Sequence, residues 1–158
     1  MSLAHVNRTD PSGIKMKNGY RMLVTLGNVA SAPFWEVSVK PPGVDGGDEI
    51  DTTTMHNDEW RSKAPRALKD LTNSSTKAAY DPKIWNTILS QVNVPQVITF
   101  LWPNGDLLSF YGFLKKWEPS DLTEGEMPTN DFEIVATNED PATGAEVAPL
   151  FNELHSGT

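Results

Sequence analysis

The chain has 158 residues, no cysteine, and 21 Asp and Glu against 13 Lys and Arg, which gives a formal net charge of −8 at pH 7. This length fits one domain with a modest core, and the lack of cysteine excludes disulfides, thiolate metal sites and a cysteine nucleophile. The acidic balance argues against a protein that wraps nucleic acid, and no apolar stretch reaches the roughly 20 residues that span a bilayer, so we expect a protein made and kept in the cytoplasm.

The N-terminal part of the chain predicts an arm followed by two strands. Residues 1–19 are polar and show no hydrophobic periodicity, so we expect an N-terminal arm. The run YRMLVTLGN alternates well enough for a strand, with Val24 and Leu26 on one face. The run PFWEVSVK also alternates, with Phe34 and Trp35 on opposite faces, and predicts a half-buried second strand.

A polar segment of some thirty residues comes next, from PPGVDGGDEIDTTTM to HNDEWRSKAPRALK. Only EIDTTTM has strand propensity within it. Such a segment inside a small domain is unusual unless it is functional or becomes ordered on a partner. Trp60 is isolated in this segment, so anchoring into a neighbouring molecule and local packing are equally good interpretations of it.

The run DLTNSSTKAAYDP predicts a strand that is polar on both faces. Alternation separates two sets of side chains: Thr72, Ser74, Thr76, Ala78 and Tyr80 on one face, and Asn73, Ser75 and Lys77 on the other. A strand of this kind suits a sheet with one face in water and the other under a thin core of small residues.

The next segment, DPKIWNTILSQV, predicts the clearest helix of the chain. Asp81 is a good N-cap, and Pro82 fits the first helical position, where no amide donor is missed. An apolar stripe at helical spacing follows, formed by Ile84, Trp85, Ile88, Leu89 and Val92. We expect Trp85 to lie in the core.

The runs QVITFLW and LLSFYGFLKKW flank Asn104 and Gly105, the dipeptide best suited to a two-residue type I′ turn. They predict a β-hairpin. Large apolar side chains occur on both of its faces, so part of it must be covered by the helix, a second sheet or another subunit. We expect Trp102 to be a core residue of this hairpin.

The run TNDFEIVATNED predicts the last strand of the core. With six or seven strands and one helix, the chain is expected to be mainly β, a β-sandwich or barrel with one flanking α-helix, a long inter-strand loop and extended terminal arms. The predicted organisation is an N-terminal arm (1–19), a β domain (20–140) and a C-terminal arm (141–158).

No residue pattern predicts catalysis, a cofactor or a metal site. His5, His56 and His155 are far apart and lack the spacing of metal ligands. The acidic residues from Asp45 to Asp51 lack the regular ligand spacing of a calcium loop. Four tryptophans could line a sugar groove instead, which leaves a carbohydrate-binding module open: Trp60, Trp85, Trp102 and Trp117.

From Tyr20 to Asn138 the sequence resembles the tail tube (major tail) proteins of long-tailed bacteriophages. The resemblance is carried by five features in order: FWEVSVKPPG, a loop containing EIDTTTMHNDEW, RALKDLTNSSTKAAYDP followed by a helix, the hairpin ITFLWPNGDLLSFYGFLKKWEPS, and PTNDFEIVATNE. Each fragment is weak by itself, and their order makes the resemblance.

The resemblance implies a non-enzymatic structural subunit of the virion tail, assembled in the host cytoplasm, with no membrane contact. Six copies form a ring, and stacked rings form a hollow tube lined by one continuous β-barrel that conducts genomic DNA without specific binding. The implied partners are further copies, the tail tip or baseplate, the tape measure and the tail terminator. A type VI secretion or pyocin-like tube protein is the related alternative.

The resemblance also implies roles for two sets of residues. The long loop reaches the adjacent ring, with candidate residues Asp48, Glu49, Asp51, Asp58, Glu59, Trp60 and Arg61. Asn73, Ser75 and Lys77 are candidates for the lumen, since a polar strand suits a water-filled channel. We further expect an acidic lumen that repels DNA phosphates, and a loop that becomes ordered only when rings stack.

Overall fold

The computed structural model describes residues 22–28, 34–103 and 105–152. The predicted N-terminal arm (1–19) lies outside the described residues. Within them the chain forms eleven strands and one helix: β1 (Leu23–Leu26), β2 (Glu36–Lys40), β3 (Val44–Asp45), β4 (Ile50–Asp51), β5 (Lys63–Ala64), β6 (Asp70–Leu71), β7 (Ser74–Ala79), α1 (Pro82–Gln91), β8 (Gln96–Leu101), β9 (Leu107–Pro119), β10 (Thr129–Ala136) and β11 (Leu150–Asn152).

Seven strands form one antiparallel sheet in the order β1-β8-β9-β10-β7-β2, with β11 also paired to β9. The long strand β9 pairs with β8 from Leu107 to Gly112, and with β10 from Gly112 to Pro119. The sheet therefore folds over along β9. One layer contains β1, β8 and the first half of β9, and a four-stranded layer contains the second half of β9, β10, β7 and β2. The mainly β, sandwich-like fold with one helix is confirmed.

The core lies between these layers and under α1. Its largest fully buried apolar side chains come from both layers and the helix: Val24, Leu26, Ile88, Ile98, Phe100, Leu114, Phe132 and Ile134. Phe34, Phe132 and Trp117 stack on one another, with ring centroids 4.3 to 5.7 Å apart. Burial of this apolar surface is the main stabilising term of the fold.

Strand β7 has the alternation that the sequence predicts. Ser74, Thr76 and Ala78 are buried against the core, whereas Ser75 and Lys77 are exposed. The core under this strand is thin because the inward side chains are small. The other face of the strand is left to solvent.

The predicted helix is confirmed as α1. Asp81 caps it, since its Oδ1 accepts a hydrogen bond from Lys83 N at 2.9 Å, and Pro82 occupies its first turn. Ile84 and Ile88 face the core, but Leu89 is 58% exposed. Leu89 lies with Trp85 in a flanking row of the helix, and only the central row meets the core, so the predicted apolar stripe is buried only along its centre.

Strand β2 departs from the predicted alternation. The register with β7 shifts between Glu36 and Ser38, which leaves Val37 as a bulge residue. Phe34 is buried and Val39 packs against the core, although the sequence pattern assigns them to opposite faces. The bulge adds one residue between them and so reverses the alternation.

The hairpin forms between β8 and β9, but its connection is one residue longer than predicted. Trp102 N donates to Asp106 O at 2.9 Å, which leaves three connecting residues, and Gly105 has a positive φ of 98°. A two-residue turn needs an amide donor at Pro103, and proline has none. Asn104, the other predicted turn residue, lies outside the described residues.

The inward side chains of this hairpin are buried, while Leu101, Tyr111 and Phe113 on its other face are half-buried. Trp102 is also half-buried, packs against the core and contacts the ring of Phe151. Phe151 belongs to β11, which pairs with the first half of β9. A stretch that the sequence predicts as a C-terminal arm (141–158) thus supplies a strand.

Gly112 lies where β9 changes partners. It is paired with both Gln96 of β8 and Ala136 of β10, and a Cβ atom here would lie 2.5 Å from Val135 O. A Cβ atom that close to a carbonyl oxygen would force the backbone to move. The bend between the two layers therefore depends on a residue without a side chain.

Glu36 joins the two outermost strands of the sheet. Its carboxylate accepts a hydrogen bond from Val24 N at 2.9 Å, which connects β2 to β1 across the open side of the sandwich. The Glu36 side chain is half-buried, and burial raises the pKa of its carboxyl, although the bond from Val24 opposes this shift. Among the described residues, β1 and β2 share no backbone ladder, so this side-chain hydrogen bond joins the two strands.

Replacing Gly112 by Ala should lower the free energy of unfolding by about 2 kcal/mol, because the added methyl group forces β9 and β10 apart. Urea unfolding measures this change. Gly46→Ala is the control, since a Cβ at Gly46 meets nothing within 4 Å. Equal unfolding midpoints for the two variants would contradict the role of Gly112.

Replacing Glu36 by Ala should cost about 1 to 3 kcal/mol, because it leaves the Val24 amide without an acceptor. Glu36→Gln keeps an acceptor and removes the charge. The pKa of Glu36 is raised in the folded state, which means that folding favours the protonated carboxyl. The protonated carboxyl therefore stabilises the fold below pH 4.5, and this stabilisation is lost as the pH rises through the folded-state pKa.

Glu36→Gln should therefore be more stable than the parent at about pH 7, and the gain should disappear below about pH 4.5. Thermal unfolding at several pH values tests this. A gain that is the same at acidic and neutral pH, or equal stabilities of the Ala and Gln variants, would contradict the closure by Glu36.

Candidate functional site

The long polar segment forms an extended hairpin, here called the arm (residues 41–73). Two short antiparallel ladders hold it: β3 pairs with β6 at its base, and β4 pairs with β5 farther out. The arm leaves the four-stranded layer after β2 and returns to it at β7. The structure gives this segment a defined course, and the expectation that it becomes ordered only when rings stack stays a prediction.

Side-chain hydrogen bonds hold the tip of the arm. Asn57 accepts from Thr54 N at 2.9 Å and donates to Trp60 O at 2.8 Å. The Thr53 hydroxyl is bonded to both the N and the O of Ser62. Short polar residues that favour turns thus replace the hydrophobic core that so small a hairpin lacks.

All seven residues predicted for an inter-ring loop lie exposed on the arm. Glu49 is bonded to Lys63, which lowers the pKa of its carboxyl, and Arg61 lies 3.9 Å from Asp51. Asp48, Asp58 and Glu59 make no ion pair with a described residue. Exposed pairs of this kind stabilise a fold little.

The tip also presents large apolar side chains to solvent. Trp60 is 82% exposed and Met55 is fully exposed. Met55 is not among the seven residues predicted for the inter-ring loop. A large apolar residue isolated in a polar segment, as Trp60 also is, could have identified it from the sequence. Apolar groups held outward on a hydrogen-bonded scaffold are typical of an interface anchor.

The outward side of the four-stranded layer, here called the polar face, brings the three lumen candidates together. Ser75 and Lys77 project from β7, and Asn73 Nδ2 donates to Glu133 Oε1 of β10 at 2.7 Å. The register places Glu133 opposite Ser75 and Asp131 opposite Lys77. These side chains form polar rows across neighbouring strands.

Charges on the polar face nearly balance. It carries four lysines and three carboxylates: Lys40, Lys77, Lys115, Lys116, Glu118, Asp131 and Glu133. Most are paired across strands or along β9, as Lys77 is with Asp131 at 4.0 Å. The expected acidic surface is not found on this face, since the excess of acid lies on the arm and in loop 121–126.

The four-stranded layer has an open edge on each side. Within the described residues β2 pairs only with β7, residues 116–119 of β9 pair only with β10, and Lys115 is a bulge residue that the β10 register skips. Their outer backbone groups can therefore accept another strand. Long open edges are a liability for a solitary protein, and pairing with further copies removes them.

The four tryptophans proposed for a sugar groove do not line one. Trp60 is at the tip of the arm, and Trp102 is beside Phe151 of β11. Trp85 and Trp117 are in contact, with ring centroids 6.2 Å apart, and both are partly buried. The expectation of Trp85 as a full core residue is met only in part.

The described residues contain no group of three or more His, Asp or Glu placed to hold a metal ion. The one helix of the described residues, α1, is not long and apolar enough to cross a membrane.

The chain matches no protein-family model and no curated protein. It is similar to solved structures from tailed particles. It matches a chain from the virion of a native gene transfer agent at 10% identity and a TM-score of 0.62, over 87% of this chain and 100% of the other. A chain from the tail of the empty gene transfer agent particle, refined with C6 symmetry, gives 9% identity and a TM-score of 0.62 over the same shares.

A chain from the extracellular contractile injection system PVC, in its sheath-tube complex, matches at 16% identity and a TM-score of 0.63. That match covers 90% of this chain and 95% of the other. At such identities the likeness shows a shared fold. The described fold is therefore that of chains found in phage-tail-like particles.

Proposed function

We propose that this chain is the structural subunit of a phage-tail-like tube, in which six copies form a ring and rings stack. The observation that carries the proposal is the four-stranded layer, which has a polar face and an open edge on each side. This fold is shared with a chain from a tail of C6 symmetry. A subunit with two free edges can pair on both sides and so close a ring.

In the proposed ring, β2 of one copy pairs with residues 115–119 of β9 in the next copy. Each four-stranded layer then becomes part of one barrel, and no edge remains unpaired. Polar faces on one side of the barrel suit a water-filled lumen. The other layer of the sandwich and α1 lie outside it. This arrangement gives Asn73, Ser75 and Lys77 the lumen-facing role proposed for them.

Genomic DNA is the proposed cargo. Tight binding to DNA requires free Lys and Arg that replace counterions on the phosphates. On the polar face, Lys77, Lys115 and Lys116 each have a carboxylate partner. Paired charges leave few sites for phosphates, so DNA can pass without being held. An acidic wall is not required for this.

The proposed location is the virion tail, after assembly in the host cytoplasm. Further copies of the chain are its main partners, and the tail tip or baseplate, the tape measure and the tail terminator would contact the ends and the lumen of the tube. The proposal includes no enzymatic activity.

A contractile injection, secretion or pyocin-like tube is the second candidate. It is favoured by the similarity to chains of the PVC complex and of the anti-feeding prophage baseplate, the latter with a TM-score of 0.58. The DNA content of the particles that contain this protein distinguishes the two candidates. Nuclease-resistant DNA within purified particles supports DNA conduction, and its absence from intact particles supports the second candidate.

Ring formation predicts a specific pattern of amide hydrogen exchange. Concentrating the chain until it assembles should slow exchange in residues 36–40 and 115–118, because new ladders form at both edges. Residues 96–101 are the internal control, since β8 is already paired with β1 and β9. Assemblies in which the two edges exchange as in the monomer would refute edge-to-edge ring closure.

A further inference from the structure

The arm and a groove beside α1 lie at opposite ends of the four-stranded layer. β2 ends at Lys40, where the arm begins, and β7 starts at Ser74, where the arm returns. At the other end of these strands, Ala79 N donates to Trp35 O and Tyr80 N donates to Pro128 O. Tyr80 leads directly into α1 at this second end.

The groove at the second end is lined by two aromatic rings and two prolines: Tyr80, Pro82, Trp85 and Pro119. Its volume is about 300 Å³. Rigid rings and prolines lose little conformational entropy when they bind another ring, so such a surface suits an aromatic side chain. Tyr80 remains 47% exposed, which leaves the groove accessible.

The arm is long enough to reach beyond its own subunit. From Val44 to Asn57 the ribbon could extend up to roughly 40 Å at about 3.3 Å per residue. The strands of the four-stranded layer from which it leaves, β2 and β7, have five and six residues and so span about 20 Å. Every residue from Thr52 to Arg61 is exposed, so the tip does not fold back onto the described body.

Charges beside the two apolar surfaces are complementary. Asp58 and Glu59 precede Trp60 at the tip and are unpaired within the described chain. Lys83 follows Pro82 at the groove and its ammonium makes no ion pair with a described residue, although the N-cap carboxylate of Asp81 accepts a hydrogen bond from the Lys83 amide. Opposite charges at the rim of a contact fix its register.

We propose that Trp60 at the tip of the arm inserts into the Tyr80–Pro82–Trp85–Pro119 groove of another copy, in the adjacent ring. The contact joins one end of the layer to the opposite end of the next, so it is heterologous and repeats along a stack. Asp58 or Glu59 then pairs with Lys83 at the rim. This inference rests on the proposed tube function and identifies the surface that receives the arm.

Disulfide trapping tests the contact, because the chain has no cysteine of its own. In the full chain, Glu59→Cys is combined with Asn86→Cys, an exposed position one helical turn after Pro82 that leaves Lys83 and Asp58 in place. The matched control combines Glu59→Cys with Lys69→Cys at the base of the arm. Concentrated protein is oxidised mildly, run on a non-reducing gel and imaged by negative-stain electron microscopy.

The Asn86 pair should give dimers and higher multiples, since a repeating contact links one copy to the next, and the Lys69 pair should stay monomeric. Multiples from the control alone, or equal yields from both pairs, would overturn the contact. Tubes in the micrographs without cross-links in either pair would overturn it while leaving the tube function intact. If the protein forms no tubes and neither pair cross-links, both the proposed function and this contact are contradicted.

Discussion

The whole architecture depends on the pairing of β9 with two different partners. Its first half belongs to one layer and its second half to the other, and Gly112 permits the change because a side chain there would collide with Val135 O. The bend creates the sandwich and its core. It also moves β8 away from residues 115–119, so that the second half of β9 has a free edge.

That free edge links the fold to assembly. A sheet that continued flat through β8 would satisfy the second half of β9 within one chain. The folded sheet instead presents β2 and residues 115–119 on opposite sides of the four-stranded layer, and the Glu36 carboxylate bonds β2 back to Val24 of β1. The backbone groups on both edges are strong hydrogen-bonding groups, and an adjacent copy is the natural partner for them.

Local patterns in the sequence predict much of this fold. The helix follows from Asp81, Pro82 and the apolar spacing after them, and the polar alternation of β7 directly indicates which of its faces meets the core. These features depend on neighbouring residues in the chain. The predicted fold class holds because it depends on strands outnumbering helices and not on how the strands pair, although the eleven strands of the structure exceed the six or seven predicted.

The remaining features depend on contacts between distant residues. The bulge at Val37 reverses the faces of β2, the connection after Trp102 has an extra residue because Pro103 lacks an amide hydrogen, and β11 arises from a stretch without a strand pattern. The balance of charge on the polar face likewise comes from the register of four strands. Net charge, which is a property of the whole chain, does not reveal it.

The most direct test of the account is negative-stain electron microscopy of the purified chain over a range of concentrations. The account predicts rings that stack into hollow tubes of constant diameter as concentration rises, since each copy carries two free edges. A chain that stays a monodisperse monomer at high concentration, with the amides of residues 36–40 and 115–118 already protected from hydrogen exchange, would contradict it.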